Sequence, residues 1–178
     1  FEKKIEKIQS QVFKISKKEF NIASPKQLGE IIYNDLKIAG LKKTKKGSFA
    51  TSASVLEDLA FKGHQFPQLV LDWRQVSKLK NTYSDSLPEH IKPKTKRVHT
   101  SFLLAATTTG RLASSDPNLQ NIPIKSEDGK DIRKAFVAKK NHVLISADYN
   151  QIEMRILADL ADVKGLKKAF KNNVDIHS

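Results

Sequence analysis

The amino-acid sequence predicts an α+β protein with a helical first half and a mixed second half. Its 178 residues are enough for one domain or two small lobes. Apolar residues recur at helical spacing through the first half, whereas the second half contains apolar runs of strand length. Charge divides the chain in the same way, because residues 1–100 carry 20 basic and 10 acidic side chains and residues 101–178 carry 12 and 9. These differences predict two lobes with different roles.

The overall charge narrows the classes of function. The chain has 32 Lys and Arg residues against 19 Asp and Glu, a formal net charge of +13. This excess suits a polyanionic partner, most often nucleic acid, although a solvated basic surface is the alternative. The absence of cysteine excludes disulfide scaffolds, thiolate zinc sites and cysteine nucleophiles. No apolar run approaches the length of a membrane span, so we expect no membrane association.

The first two helices are expected in residues 1–40. Residues 3–19 place apolar side chains at helical spacing among lysines, which predicts an amphipathic helix. Ser24 followed by Pro25 is typical of a helix start, and Gly40 is expected to end that segment. The lysine-rich stretch 42–48 has no apolar anchor and is predicted to be an exposed loop.

A third and a fourth helix follow. Ser54 and Glu57 have the spacing of a capping box before a short helix that ends near Gly63. After a proline, residues 68–83 are predicted to form the fourth helix, which ends in Lys-Leu-Lys-Asn-Thr-Tyr. This basic and polar end could contact phosphates. The alternative is a solvated helix terminus whose cations lie favourably near the negative end of the helix dipole.

The second half opens with a predicted strand, residues 97–104, and a polar segment, residues 107–123. The polar segment has little periodicity and contains arginine, asparagine, glutamine and two prolines. Such side chains can meet the acceptors at base edges, including the minor-groove positions that all base pairs share. A purely structural loop could use the same residues to bond its own backbone.

A single carboxylate lies at the next predicted junction. Residues 142–147 form a continuous apolar run that predicts a buried strand, and residues 151–160 have helical periodicity. Asp148 would therefore lie at a strand-to-helix junction, where α/β folds often place ligand or metal contacts. Mg²⁺ prefers oxygen ligands from one or two carboxylates together with substrate phosphates. The alternative is that Asp148 caps the helix.

Two long segments resemble one known family. Residues 109–123 (TGRLASSDPNLQNIP) and 148–155 (DYNQIEMR) are similar to segments of family A DNA polymerases, the bacterial DNA polymerase I type. The second segment resembles motif A of that family. The resemblance covers nearly all of residues 20–178 in the order of the family, and it also includes segments 20–28, 78–83, 97–100 and 175–177.

The resemblance implies a fold and a mode of DNA binding. Residues 1–97 would form the helical thumb that grips duplex DNA, and residues 98–178 would form the N-terminal segment of the antiparallel-sheet palm. This palm segment contains motif A and ends at the entry to the fingers, so the chain would be a fragment of a larger right-hand polymerase. The resemblance assigns DNA contacts to Lys78, Lys80, Asn81, Thr82, Arg111, Asn118, Gln120, Asn121 and Lys125, the last a lysine where relatives often carry arginine.

The resemblance also implies the chemistry. Asp148 and the carbonyl of Tyr149 would bind Mg²⁺, with two ions in the complete enzyme. Asp148 would be catalytic, as would Glu153, which would crowd the 2′ position of the sugar and exclude ribonucleotides. The nucleotide-binding residues would be Gln151, Ile152, Glu153 and His177.

We therefore expect a template-directed DNA polymerase that transfers deoxynucleotides to a primer 3′-hydroxyl in replication or repair. Its partners would be primer-template duplex and deoxynucleoside triphosphates, in a monomer associated with the bacterial nucleoid in the cytoplasm. The chain alone would bind DNA without polymerising, because it lacks the fingers helix and the second metal-binding aspartate. The alternatives are a non-enzymatic nucleic-acid-binding module and a single-subunit RNA polymerase, and Glu153 disfavours the latter.

Overall fold

The computed structural model describes residues 1–38, 47, 49–124 and 126–174. The chain divides into two compact units, Phe1–Phe136 and Val137–Ser178. The predicted α+β class is confirmed, since helices occur in both units and short antiparallel strands occur in the first. Within the described residues, each helix is too short or too polar to span a bilayer. The predicted boundary between residues 97 and 98 concerns functional domains and stays a prediction.

The first two helices follow the sequence pattern closely. Helix α1 spans Glu2–Ser16 and ends where Lys17 adopts a left-handed conformation, with φ 55°. Helix α2 spans Pro25–Glu30, and the hydroxyl of Ser24 caps it by accepting a hydrogen bond from the backbone of Gln27. The helix continues into a π-helical segment, Ile31–Asp35. The predicted end at Gly40 and most of the predicted lysine-rich loop, residues 42–48, lie outside the described residues.

The next two helices begin earlier than the sequence analysis predicted. Helix α3 spans Ala53–Phe61, so its N-cap is Ser52 and the predicted capping box at Ser54 is wrong. Helix α4 spans Gln65–Leu79 and contains Pro67 in its first turn. Proline is tolerated there because the backbone amides of a first turn have no acceptor within the helix.

The first core of the N-terminal unit lies among helices α1 to α4. Its side chains come from the apolar faces of all four helices and from the π-helical segment. The most completely buried of them are Val12, Leu28, Ile32, Leu56, Leu59 and Val70. Burial of each such side chain contributes about 1.5–3 kcal/mol relative to leaving it exposed.

A second, smaller core begins where α4 ends. The chain continues from α4 as a π-helical segment, Lys80–Asp85, and a short helix α5, Ser86–Glu89. Leu79 and Tyr83 pack there against Ile132, which lies in helix α6, Glu127–Lys134. The side chain of Ser126 caps α6 by accepting from the backbone of Gly129 at 3.1 Å. This core joins the end of α4 to the segment that follows the strands.

Two antiparallel hairpins connect α5 to α6. Strand β1, Ile91–Lys92, pairs with β2, Arg97–Val98, and β3, Ser101–Leu103, pairs with β4, Ala113–Ser115. The single predicted strand, residues 97–104, is therefore two short strands that belong to different hairpins.

Lys96 occupies the position in the first hairpin where glycine is favoured. Its φ is 57°, and its backbone amide donates to the carbonyl of Lys92 at 2.8 Å. A left-handed conformation carries a steric cost for a side chain with a Cβ atom. The hairpin therefore forms without the glycine that this turn favours.

The C-terminal unit is a helical hairpin preceded by an extended segment. Helix α7 spans Ile152–Leu160 and helix α8 spans Lys164–Lys171. Lys167 of α8 pairs with Asp159 and Asp162 at 3.0 Å each. These ion pairs connect α8 to the end of α7 and to the turn between the helices.

The predicted buried strand at residues 142–147 is wrong. The segment carries no strand, and Val143, Leu144 and Ile145 are 79%, 68% and 87% exposed. A strand needs a neighbouring strand to receive its backbone hydrogen bonds. In the described part of the C-terminal unit, all regular structure is helical. The apolar run therefore lacks the partner that would make it a strand.

Gly29 offers a test of the first core. A Cβ atom at this position would lie 2.6 Å from the Cβ atom of Phe49, too close for a carbon–carbon contact. We expect Gly29→Ala to destabilise residues 1–178 by about 1–3 kcal/mol, because neighbouring backbone must shift. Lys26→Ala, on an exposed position of the same helix, is the control and should change stability by less than about 0.5 kcal/mol. Equal urea midpoints for Gly29→Ala and the unchanged chain would contradict this packing.

Candidate functional site

The end of α4 presents most of its predicted DNA-contacting side chains to solvent. Lys78 is exposed in the last turn, and Asn81 and Thr82 are exposed in the π-helical segment. Lys80 is half-buried, and its ammonium group donates to Asp85 at 2.6 Å and lies 3.5 Å from Glu2. The hydrogen bond to Asp85 is the main reason that the pKa of Lys80 is raised. Lys80 therefore stays charged, but acidic neighbours already offset its charge.

Tyr83 turns inward from the same segment. Its side chain is buried, and its hydroxyl donates to the carbonyl of Asn121 at 2.5 Å. Burial raises the pKa of the Tyr83 phenol. This bond ties the end of α4 to the polar segment 107–123, so the structure brings two predicted DNA-binding segments together. The apolar spacing of Val76, Leu79 and Tyr83 was a signal that this tyrosine faces a core.

Two hydroxyl groups that sequence reasoning did not select organise the polar segment. Thr100 Oγ1 lies 2.7 Å from Ser114 Oγ and 2.8 Å from the carbonyl oxygen of Pro117. Ser114 is buried, and its Oγ accepts a hydrogen bond from the backbone of Leu119 at 3.0 Å. The chain between β4 and residue 119 is therefore held by side chains from the strand and from the residue before β3.

The predicted base-contacting amides also bond to this local backbone. Asn118 Oδ1 accepts from the backbone amide of Gln120 at 2.9 Å, and Gln120 Nε2 donates to the carbonyl of Leu112 at 3.0 Å. Thr107 Oγ1 donates to the carbonyl of Arg111 at 2.9 Å. Arg111, Asn118 and Gln120 are all exposed. The structural interpretation of this loop is therefore correct for these bonds, and it is compatible with contacts from the same exposed side chains to a ligand.

The C-terminal unit carries the motif-A-like residues. Asp148 and Tyr149 are exposed in an extended segment before α7, and Tyr149 is 81% exposed. Gln151 is half-buried and is the N-cap of α7, with a left-handed φ of 54°. Ile152 and Glu153 follow in the exposed first turn of the helix. Because Gln151 is the N-cap, the alternative in which Asp148 caps this helix is wrong.

Arg155, in α7, is a further residue to which the sequence analysis assigned no role. Its Nε donates to the carbonyl of Asn150 at 2.8 Å, and its guanidinium carbon lies 4.6 Å from the ring centroid of Phe170. Both contacts lie within the C-terminal unit and connect α8 to the turn that carries the predicted site. Arg155 follows Asp148 by seven positions in the sequence, but the sequence alone does not show its contact with Phe170 on α8.

The donors present fit part of a magnesium site. Asp148 offers an exposed carboxylate and Tyr149 a backbone carbonyl, and both are the hard oxygen ligands that Mg²⁺ takes. Among the residues that the structure describes, no three His, Cys, Asp or Glu side chains gather as a metal-binding group. Asp148 and Tyr149 would therefore provide fewer than half of the six oxygen ligands that surround a Mg²⁺ ion. Two predicted site residues, Lys125 and His177, lie outside the described ranges.

The comparisons identify the family. The model of DNA polymerase family A matches residues 1–178, and this chain belongs to that family. It is 53% identical over 172 residues to DNA polymerase I of Rhizobium leguminosarum, covering 97% of this chain and 17% of that protein. It is also 53% identical over 177 residues to DNA polymerase I of Caldicellulosiruptor bescii, covering 99% of this chain and 21% of that protein.

A solved structure supports the same membership. The POL domain of Pol1 from M. smegmatis, in complex with DNA primer-template and dNTP, matches with a TM-score of 0.85 and 39% sequence identity. The match covers 98% of this chain and 31% of that one. The chain thus spans about a fifth of the length of the curated relatives it matches.

Removal of the Tyr83 hydroxyl should loosen the link between the two segments that are predicted to bind DNA. We expect Tyr83→Phe to destabilise residues 1–178 by about 1 kcal/mol at pH 7, because the carbonyl of Asn121 loses its donor. Urea denaturation measures this loss, and Tyr149→Phe, at an exposed position, should leave stability unchanged within about 0.5 kcal/mol. The same midpoint for Tyr83→Phe and the unchanged chain would show that the bond contributes nothing.

The pH dependence of the free energy of unfolding provides a second test of the Tyr83 hydrogen bond. Because the folded pKa of Tyr83 lies above its ordinary value of 10.0, the unfolded chain ionises first. The stabilisation by the protonated Tyr83 hydroxyl is complete below pH 10.0 and is lost as the pH rises through the raised pKa. The stability difference between the unchanged chain and Tyr83→Phe should therefore narrow above pH 10.0.

Proposed function

We propose that this chain is the thumb and first palm segment of a template-directed DNA polymerase that extends a primer with deoxynucleotides. Residues 1–97 would form the thumb and residues 98–178 the N-terminal part of the palm. The observation that carries the proposal is Asp148, an exposed carboxylate that does not cap α7, in the motif-A-like segment of a chain that the family model matches from residue 1 to 178.

The proposed catalytic role of this chain lies in the turn before α7. Asp148 and the carbonyl of Tyr149 would hold Mg²⁺, two ions being present in the complete enzyme. When bound, these ions activate the primer 3′-hydroxyl and stabilise charge on the transferred and leaving phosphates. The exposed Asp148 can reach such ions without first breaking a helix cap.

The proposed nucleotide contacts follow directly along the chain. Gln151 and Ile152 would contact the incoming nucleotide, and His177 would reach its phosphates. Glu153, exposed in the first turn of α7, would crowd the 2′ position of the sugar, so that a ribonucleotide hydroxyl would meet a carboxylate. A site of this kind selects a deoxyribonucleotide by excluding the additional group.

The proposed DNA-binding surface lies in the N-terminal unit. Lys78, Asn81 and Thr82 would contact backbone phosphates. Lys80 would do so when a phosphate replaces the carboxylates that now lie beside its ammonium group. Arg111, Asn118, Gln120, Asn121 and Lys125 would contact the duplex near the primer terminus, mainly in the minor groove. Because minor-groove acceptors are nearly the same for all base pairs, such contacts test pair geometry and require no fixed sequence.

The remaining parts of the proposal concern context. The polymerase would act in replication and repair as a monomer, associated with the nucleoid in a bacterial cytoplasm. Residues 1–178 alone would bind DNA but not polymerise, because one carboxylate cannot hold two ions. The exposed apolar run at residues 143–145 supports the proposal that this chain is a segment of a longer polymerase, since such a run suits packing against the remainder of that protein.

Substitution of Asp148 tests the catalytic assignment. In the full-length polymerase that carries this chain, Asp148→Ala should lower the single-turnover rate with Mg²⁺ by about a thousandfold, because loss of a metal ligand removes several kcal/mol of transition-state stabilisation. Affinity for primer-template, followed by fluorescence anisotropy, should stay within about twofold of the unchanged enzyme. Asp159→Ala removes an exposed carboxylate from α7, the helix that follows Asp148, and is the matched control. An Asp148→Ala enzyme that extends primers at the unchanged rate would refute the assignment.

Substitution of Lys78 tests the grip on duplex DNA. We expect Lys78→Gln to weaken duplex binding and to reduce the slope of log affinity against log salt by about 1, because one phosphate contact is lost. Lys26→Gln, which removes an exposed lysine from α2, is the control and should leave the slope unchanged. An identical slope for Lys78→Gln and the unchanged protein would assign Lys78 to a solvated helix terminus instead.

A further inference from the structure

Arg155 binds two consecutive carbonyl groups of the turn before α7. Its side-chain Nε donates to the carbonyl of Asn150 at 2.8 Å, and its backbone amide donates to the carbonyl of Gln151 at 3.0 Å. The second bond is an ordinary bond of the first helical turn, but the first reaches beyond the helix. A single residue therefore fixes both the beginning of α7 and the peptide group immediately before it.

The turn needs such support because its conformation is uncommon. Gln151 has a left-handed φ of 54°, which is unfavourable for a residue with a side chain. This residue sets the direction in which the extended segment leaves the helix. It therefore determines where Asp148 and Tyr149 lie relative to Glu153 in the first helical turn.

The ring of Phe170 also contacts the guanidinium group. Its ring is buried in α8, with 8% exposure, and the guanidinium carbon of Arg155 lies 4.6 Å from the ring centroid. The distance is within the range of a cation–π interaction. The planar guanidinium can lie against a ring while Nε donates a hydrogen bond at its edge, a combination that lysine cannot reproduce.

We propose that Arg155, held by Phe170, is a positioning residue for nucleotide incorporation. It acts through the carbonyl of Asn150 and fixes the turn so that Asp148 and Glu153 address the same bound nucleotide. The inference rests on the proposed function, because it assigns Arg155 to the site that Asp148 defines. Arg155 itself touches neither the nucleotide nor a metal ion in this role.

A purely structural role would make different predictions. Arg155 could serve only to join α7 to α8, as Lys167 does through its ion pairs with Asp159 and Asp162 at 3.0 Å each. Lys167→Gln therefore provides a matched control, because it removes contacts within the same helical hairpin without affecting the turn before α7. A structural role would make substitutions of Arg155 and Lys167 equivalent.

The experiment compares Arg155→Met, Arg155→Lys, Phe170→Leu, Arg155→Met/Phe170→Leu and Lys167→Gln in the full-length polymerase. We expect Arg155→Met to lower the single-turnover rate by about 10- to 100-fold, as loss of an outer-shell partner does. The Mg²⁺ concentration for half-maximal rate should rise, while primer-template affinity and Tm should match those of Lys167→Gln. Lys167→Gln should retain the unchanged rate.

The other variants test the route through Phe170. Phe170→Leu should lower the rate by about 3- to 10-fold, because Arg155 keeps its donor but loses the aromatic ring. The double variant should be no slower than Arg155→Met alone, since Phe170 acts through Arg155. Arg155→Lys should be intermediate. If Arg155→Met does not fold, the single-turnover rates of Phe170→Leu and Arg155→Lys are compared with that of Lys167→Gln instead, and unchanged rates in both variants would refute the proposal.

The proposal fails if Arg155→Met retains the unchanged rate, if Lys167→Gln lowers the rate as much, or if the effects of the double variant simply add. Failure of the proposed function is separable from these results. Full activity in an Asp148→Ala enzyme would refute the proposed catalytic site itself. An inactive Asp148→Ala enzyme beside a fully active Arg155→Met enzyme would overturn the positioning role alone.

Discussion

Two segments that carry predicted functional residues, 116–123 and 148–151, are irregular, and in each a backbone carbonyl group accepts a hydrogen bond from the side chain of a helical element. Tyr83 donates from the π-helical segment to Asn121, and Arg155 donates from α7 to Asn150. Each donor fixes the path of the chain at the carbonyl group that it binds. The geometry of both candidate regions depends on this constraint.

Charge acts differently in the same regions. The net charge of +13 attracts a polyanion to the chain as a whole, but individual lysines differ in what they can contribute at contact. Lys78 is exposed, whereas Lys80 already donates to Asp85 and lies near Glu2. A phosphate that binds Lys80 must compete with these carboxylates, so the two neighbouring lysines are not equivalent.

Sequence reasoning was most successful where a local rule decides the structure. The cap at Ser24 and the amphipathic helix α1 require only neighbouring residues, and both are confirmed. It was wrong at the apolar run 142–147, because composition indicates that a segment can be buried but not whether a partner strand is present. Tyr83 shows a related difficulty, since its role depends on a carbonyl 38 residues away in sequence.

The same distinction applies to the candidate site. The resemblance selected Asp148, and the structure excludes the helix-capping alternative because Gln151 occupies the N-cap. The sequence alone did not reveal Arg155, because its ring partner Phe170 lies on another helix. Residues that touch a ligand can be found by motif, whereas residues that hold them in place are found by their contacts.

Asp148 lies between two differently supported pieces of chain. On its C-terminal side, Arg155 holds the turn at residues 150 and 151. On its N-terminal side, the apolar run is exposed and has no strand beside it among the described residues. In the proposed polymerase, burial of that run against further strands would fix the other end of the same segment, because paired strands constrain both backbone direction and register. Formation of the sheet and placement of the proposed catalytic carboxylate would then be one event, while the turn that follows Asp148 is already held by Arg155.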